Sequence, residues 1–305
     1  LRPGHGGNVN VPMPKSLAVP DDDFKENLAS FQQPGPNLPW QERRHWLRAR
    51  LKEHPLSGLG EDEVDVHFSG MPAYYWERVT ESDLRWGLET IHGFLQAVAR
   101  HDVSPTTPFV NWRHEHSSSW TRGMICTWDR HGLLAKCAAC FSAAKLDILE
   151  ANAFTRADNV VLDVFRVWDA RSPSTVSPAR LQEMMFLLDG ALSDPPRFAS
   201  VWACSWHKHL ASPPRIAHHI SVDNDSAADS IVVRVEASDR LGLLYDMLQA
   251  ITDSGLNISQ ARVETDGEVA RDTFHVTDAQ GKKRLDPGQR ECLHRCLEAV
   301  LTFTP

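Results

Sequence analysis

The stretch Asp239-Arg240-Leu241-Gly242-Leu243-Leu244 decides how this chain is read. It has a counterpart 110 residues earlier, Asp129-Arg130-His131-Gly132-Leu133-Leu134. At the same offset Leu146-Asp147-Ile148 matches Leu256-Asn257-Ile258, Ala151 matches Ala261, and Thr155 matches Thr265. After one residue of slippage, Asp163-Val164-Phe165-Arg166-Val167 matches Asp272-Thr273-Phe274-His275-Val276. Self-similarity at a fixed offset is the mark of a duplicated structural module.

Each copy reads the same way. Residues 124–128 and 231–237 are short strands rich in β-branched residues. The Asp-Arg-x-Gly turn follows, with Gly where the backbone must turn tightly and approach something closely. Helices are predicted over 133–144 and 243–253, the second with Leu244, Met247, Leu248 and Ile251 as one apolar stripe. Residues 146–155 and 256–265 alternate as second strands. Hairpins at Arg156-Ala157-Asp158 and Asp266-Gly267 lead into third strands at 159–168 and 269–277. A closing helix is predicted over 177–192 in one copy and 287–301 in the other. This order is the split βαβ pattern. The fold class is α+β: two tandem ferredoxin-like βαββαβ domains behind a mostly helical N-terminal segment. The second copy has little room for a fourth strand after its last helix. Segments 198–206 and 215–223 are the candidates to supply edge strands.

Upstream of the repeat, residues 1–40 are rich in Pro, Gly and Asn and read as an extended tail. Residues 41–115 form a helical linker region. A basic amphipathic helix covers 41–54, with Trp40, Leu47 and Leu51 on one side. A second helix starts near Asp83, capped by Thr80 or Ser82, with Leu84, Leu88, Ile91 and Leu95 at helical spacing. The first module then spans 120–206 and the second 215–305.

The chain has 305 residues and a net charge of −8, which argues against a nucleic-acid partner. Its six cysteines are too sparse for a disulfide framework in a chain this long, so a reducing, cytoplasmic setting is expected. No apolar run is long enough to span a membrane, and no membrane partner is expected. The sequence starts with Leu1, not Met, which suggests an upstream part.

The Asp-Arg-x-Gly-Leu-Leu turn, the Asn-Ile of the next strand, the Ala-x-x-x-Thr strand end and the Asp-x-Phe-x-Val strand together resemble the ACT domain. Asn224-Asp225-Ser226 ahead of the second copy and Val276-Thr277-Asp278-Ala279-Gln280-Gly281-Lys282 after it are similar to the C-terminal region of the bifunctional PII uridylyltransferase/uridylyl-removing enzymes, where two ACT domains stand in tandem. The stretch from Tyr74-Tyr75-Trp76 to Leu95 resembles that family's linker into its first ACT domain. The resemblance implies regulatory amino-acid binding, with glutamine as effector in nitrogen metabolism. It implies a homodimer, with a PII-type signal protein or upstream catalytic domains as partners. The family's transferase centre needs Gly-Ser followed by Asp-x-Asp to hold magnesium and nucleotide phosphates. There is no Gly-Ser here, and Asp21-Asp22-Asp23 and Asp223-Asn224-Asp225 stand in a Pro-rich tail and at a strand end. His101-Asp102 is the sole counterpart of the family's hydrolase ligands. The expectation is therefore no catalytic residue, no metal and no cofactor in this chain. Two other readings remain: a fragment or divergent form of the uridylyltransferase, and an interaction module that dimerises without a ligand.

In such a module the turn aims backbone N–H groups at a ligand carboxylate, and the adjacent Asp accepts from a ligand ammonium. The candidate ligand residues are Asp239, Arg240, Gly242, Leu243 and Leu244 with Asn257 and Ile258. Their counterparts are Asp129, Arg130, Gly132, Leu133 and Leu134 with Asp147 and Ile148. The bland alternative makes both glycines turn residues and both aspartates helix caps. Cys137-x-x-Cys140 lies within a predicted helix and reads as buried packing. Cys292 and Cys296, and the cluster His207, His209, His218 and His219, read as structural or exposed residues.

Overall fold

The computed structural model describes residues 38–100, 103–104, 106–114, 118–172, 174–193, 216–225, 227, 230–278 and 283–302. Residues 1–37 of the N-terminal tail, His101-Asp102, segment 198–206, His207 and His209 lie outside them.

Four helices open the described chain: α1 (Trp40–Glu53), α2 (Glu61–Gly70), α3 (Ala73–Arg78) and α4 (Glu81–Ala99). Thr80 caps α4, its side chain accepting from the Asp83 N–H at 3.1 Å. Glu81 and Asp83 place negative charge in the first turn, where the helix dipole favours it. One face of α4 buries Leu84, Leu88, Ile91 and Phe94. The helix α2 is not foreseen by periodicity, because Glu61-Asp62-Glu63 and Asp65 leave it few apolar positions.

The first module contains strands β1 (Phe109–His114) and β2 (Thr121–Trp128), helix α5 (Leu133–Ala143), strands β3 (Leu146–Thr155) and β4 (Val160–Asp169), and helix α6 (Pro178–Leu192). The second contains β5 (His219–Asp223), β6 (Ile231–Ser238), α7 (Leu243–Asp253), β7 (Leu256–Asp266), β8 (Val269–Asp278) and α8 (Pro287–Thr302). All eight strands form one sheet in the order β1-β2-β4-β3-β7-β8-β6-β5. Every neighbouring pair is antiparallel. Within each module the third strand lies between the first and second, which is the split βαβ arrangement.

The fourth strand of each half precedes the repeated unit rather than closing it. β1 pairs with β2, and β5 pairs with β6. Thus residues 219–223, within the segment 215–223, supply one edge strand, and residues 109–114, expected within the helical linker, supply the other. The Trp112–Gly123 pair shows why β1 fits there. The indole of Trp112 covers Gly123, and a Cβ at position 123 would collide with it.

The halves join at β3 and β7, with Ala151 opposite Val263 and Ala153 opposite Ala261. One face of the sheet carries all four module helices. α6 packs on α5, α5 on α7, and α7 on α8. The central helix α5 is buried almost all round, and its Ala135, Ala138, Ala139 and Ala143 let its neighbours come close. Together with Phe141, Phe165, Met247, Leu248 and Phe274 they make one continuous core across both modules. The N-terminal helices cover the opposite face of the first module, and α3 reaches β7 of the second through Tyr74, which donates to the Ser259 carbonyl. On the first module Trp76, Leu88 and Phe94 meet Met124, Cys126, Phe154, Val160 and Leu162. In the second module the opposite face carries exposed Arg234, Glu236 and Arg271. Among the described residues, no helix is long and apolar enough to cross a membrane.

Candidate ligand site at the seam between the modules

Each first strand ends in a corner that the sequence builds twice. The Asp129 N–H donates to the Asn159 carbonyl and the Asp239 N–H to the Glu268 carbonyl, both at 2.8 Å, which ties each corner to the adjacent hairpin. The N–H groups of Leu133 and Leu243 return to the carbonyls of Arg130 and Arg240 at 3.0 Å. Gly132 and Gly242 then take φ of 69° and 84°, the left-handed region where a Cβ is unfavourable, and the helix starts at the next residue. Neither helix start carries a side-chain cap. Asp129 and Asp239 are therefore not cap residues. They stand before the turn, and no side chain caps the first turn of either helix, whose leading amides at Leu133 and Leu243 are spent on the turn itself.

The seam brings the candidate residues together crosswise. The corner Asp239–Leu244 faces Asp147 and Ile148 of β3, the other module's strand, around a small cavity of about 20 Å³. That is room for about one water molecule. Val263 and Thr265 of β7 and Ala270 and Asp272 of β8 complete its walls. Conversely, His131 of the first corner reaches β7, where its Nδ1 lies 2.9 Å from Asn257 Oδ1. The Asn-Ile and Asp-Ile pairs thus stand opposite the neighbouring module's corner. Within one copy, each stands at the far end of the helix that follows the corner.

Acids dominate the seam at the Asp239–Leu244 corner. Burial pushes the Asp239 carboxyl up to about 7, and the Asp147 carboxylate nearby pushes in the same direction. The Arg240 backbone N–H and the Thr265 side chain bond it and partly offset the rise. Asp147 is itself raised by burial, although it accepts from the Trp168 indole N–H at 3.1 Å. Asp272 is almost wholly buried and raised well above the usual carboxylate range, by burial first and by Asp239 second. One of its carboxyl oxygens, Oδ1, has no hydrogen-bond partner. Arg240 spends its charge elsewhere, on Asp246 of α7 at 2.6 Å. In the other module Asp129 and the buried Asp163 repeat the Asp239–Asp272 pair, and burial raises both. Arg130 instead donates to the carbonyls of Leu192 and Thr106 at 2.8 and 3.0 Å.

Asp272, Thr265 and Asp163 were not among the candidate ligand residues. The alternation gave a signal: Ala270, Asp272, Phe274 and Val276 all point to the helical face, so an acid sits where an apolar residue is expected. The remaining motifs fall into structural places. Cys137 and Cys140 are free, buried thiols in α5, and burial raises both. Cys292 and Cys296 are half-buried on α8. His218 lies 2.7 Å from Glu298. Among the described residues, no group of three or more His, Cys, Asp or Glu side chains is placed to hold a metal ion.

Residues 226–303 match the family model of the ACR family N-terminal ACT domain. The chain is 33% identical to the bifunctional uridylyltransferase/uridylyl-removing enzyme of Azospirillum brasilense over 77% of its own length and 25% of that protein. This is an ACT region of that family. It is also similar to the enzymes of the same name from Rhodospirillum rubrum, at 28% identity over 86% of the chain and 27% of the protein, and from Stutzerimonas stutzeri, at 26% over 80% and 27%. The chain spans about a quarter of the length of these curated relatives. Both corners described above belong to this tandem ACT architecture.

Proposed function

We propose that this ACT region binds an amino acid at the seam between its modules and reports the occupancy to the machinery it regulates. The observation that carries the reading is the chemistry paired around the Asp239–Leu244 corner; the cavity there holds about one water, so an amino acid seats only as the corner and β3 move apart. One wall is an uncapped helix N-terminus behind a left-handed glycine, which suits a carboxylate. The other is the acid Asp239, which suits an ammonium group. An amino acid presents both groups a short distance apart. The likeness to bifunctional uridylyltransferase/uridylyl-removing enzymes supports glutamine as the effector and nitrogen supply as the signal. A cytoplasmic setting and a PII-type protein or catalytic domains as partners belong to the same reading. So does a homodimer, formed through the outer strands β1 or β5.

Occupancy would act by changing the spacing of the corner and β3. Those two elements belong to different modules, so a ligand between them couples one module's position to the other's. Isothermal titration of the chain with L-glutamine and the other protein amino acids tests the reading. Saturable heat with one of them supports it, and none with any of them, at protein concentrations able to detect micromolar affinity, sinks it. The rival reading, a divergent uridylyltransferase, predicts transfer of label from UTP to a PII protein, abolished by changing carboxylates in this chain. The reading without a ligand predicts a dimer indifferent to every amino acid.

A further inference from the structure

The two strands that join the modules pair over only four residues, from Glu150–Glu264 to Ala153–Ala261. Beyond Ala153 the pairing stops, although β3 runs on to Thr155 and β7 begins back at Leu256. Ser259 stands at this fork, where β7 also slips in its register with β8 between Ile258 and Gln260. A bulged residue is left out of the ladder, so its carbonyl is open to another donor. Tyr74 of α3 supplies one. Its hydroxyl donates to the Ser259 carbonyl at 3.1 Å and lies 3.4 Å from the Ala153 carbonyl. Its ring stacks on Phe154, with centroids 5.5 Å apart.

Just ahead of Tyr74 the same stretch of chain grips the first module. The Gly70 carbonyl accepts from the Ala157 N–H at 3.0 Å. A Cβ at position 70 would stand 2.8 Å from Arg156 Cγ, so the end of α2 lies directly on the β3–β4 hairpin. That hairpin holds the first corner, its Asn159 carbonyl accepting from the Asp129 N–H at 2.8 Å. Little between the two grips can stretch. Pro72 fixes its own φ. The Met71 N–H returns to the His67 carbonyl and the Tyr75 N–H to the Pro72 carbonyl, both at 3.1 Å. The Trp76 indole N–H donates to the Met71 carbonyl at 3.4 Å. The two grips hold opposite sides of one gap. His131 of the first corner and Asn257 of β7 meet across it. Gly70 holds the first side through the hairpin, and Tyr74 holds the second at Ser259.

We propose that the α2–α3 joint, Gly70 to Tyr74, is a clamp that sets the distance between the Asp129–Leu134 corner and β7 from the face of the sheet away from the module helices. A change in that distance and a shift of the N-terminal helices are then one motion. The clamp acts whatever the seam holds, so it stands or falls independently of the amino-acid reading. Coupling of this kind is reciprocal, so displacing either jaw loosens the other.

The test is hydrogen–deuterium exchange of the whole chain, read by mass spectrometry over residues 126–133 and 255–262, on wild type, Gly70→Ala, Tyr74→Phe and Glu298→Ala. G70A disturbs the hairpin jaw alone, and Y74F removes only the hydroxyl at the fork. E298A is the control, because it breaks the His218–Glu298 pair beside the outer strand β5. G70A should speed exchange over 255–262 and Y74F over 126–133, each by about twofold or more, and E298A should change neither. Circular dichroism checks that each variant folds. Should G70A fail to fold, Y74F, which loses a single hydroxyl, decides alone. An effect confined to the altered jaw, or an equal acceleration in E298A, overturns the proposal.

Discussion

Asp239→Asn should make the ligand-free protein more stable, and by an amount that depends on pH. The Asp239 carboxyl sits at about 7 in the fold against 3.8 for the ordinary group. A folded value above the unfolded one means that the native state keeps a proton which the unfolded chain has released. The contribution of Asp239 to stability is therefore fully present below about pH 4 and is lost as pH climbs through about 7. Each unit of difference is worth about 1.4 kcal/mol, so the ionised group costs up to about 4 kcal/mol at pH 8 and under about 2 kcal/mol at pH 5. Asn imitates the protonated acid. Its side-chain oxygen can still accept from the Arg240 N–H, which bonds Asp239. The assay is urea unfolding of wild type and D239N at pH 5 and pH 8, followed by tryptophan fluorescence. D239N should gain about 1–4 kcal/mol at pH 8 and clearly less at pH 5. An equal change at both pH values, or a destabilised D239N at pH 8, would refute the claim that this acid is held against its own ionisation.

Other outcomes follow from the same geometry. Gly242→Ala forces a Cβ into the left-handed region at φ of 84°, which should cost about 1–2 kcal/mol of stability, seen in the same urea titration, and weaken ligand binding by displacing the helix start. Tyr74 donates to the Ser259 carbonyl at 3.1 Å, with the Ala153 carbonyl 3.4 Å away, and so links α3 to both modules on the side of the sheet away from the module helices. Tyr74→Phe should cost about 1 kcal/mol in thermal or urea unfolding. Because Asp239 must ionise to hold an ammonium group, affinity for L-glutamine should fall about tenfold between pH 8 and pH 6. A flat pH profile in titration calorimetry would assign the ammonium to another acceptor.

The repeat made the core of the fold legible. Two copies of Asp-Arg-x-Gly fixed two strand ends and two helix starts, and the hairpins at Asp158 and Gly267 fixed the third strands. Edge strands were harder, because β1 and β5 are short and flank long connections, and their pairing depends on contacts such as Trp112 over Gly123. The helix α2 was hidden by its acids, being held by Phe68 and His67 packed under Tyr75 and Trp76. The corner residues of the candidate site could be read from sequence, but their grouping could not. Whether Asp147 serves its own corner or its neighbour's depends on β3 pairing with β7, a contact between strands over a hundred residues apart. Asp272 was visible as an acid at an inward strand position. Its lack of a partner needed the packed structure.

Co-crystallisation with L-glutamine images the seam itself. Density is expected between the Asp239–Leu244 corner and β3, with the ammonium group against Asp239 and the carboxylate at the N-terminus of α7. A ligand lodged elsewhere, or a seam packed shut by the protein's own side chains at saturating glutamine, would contradict it.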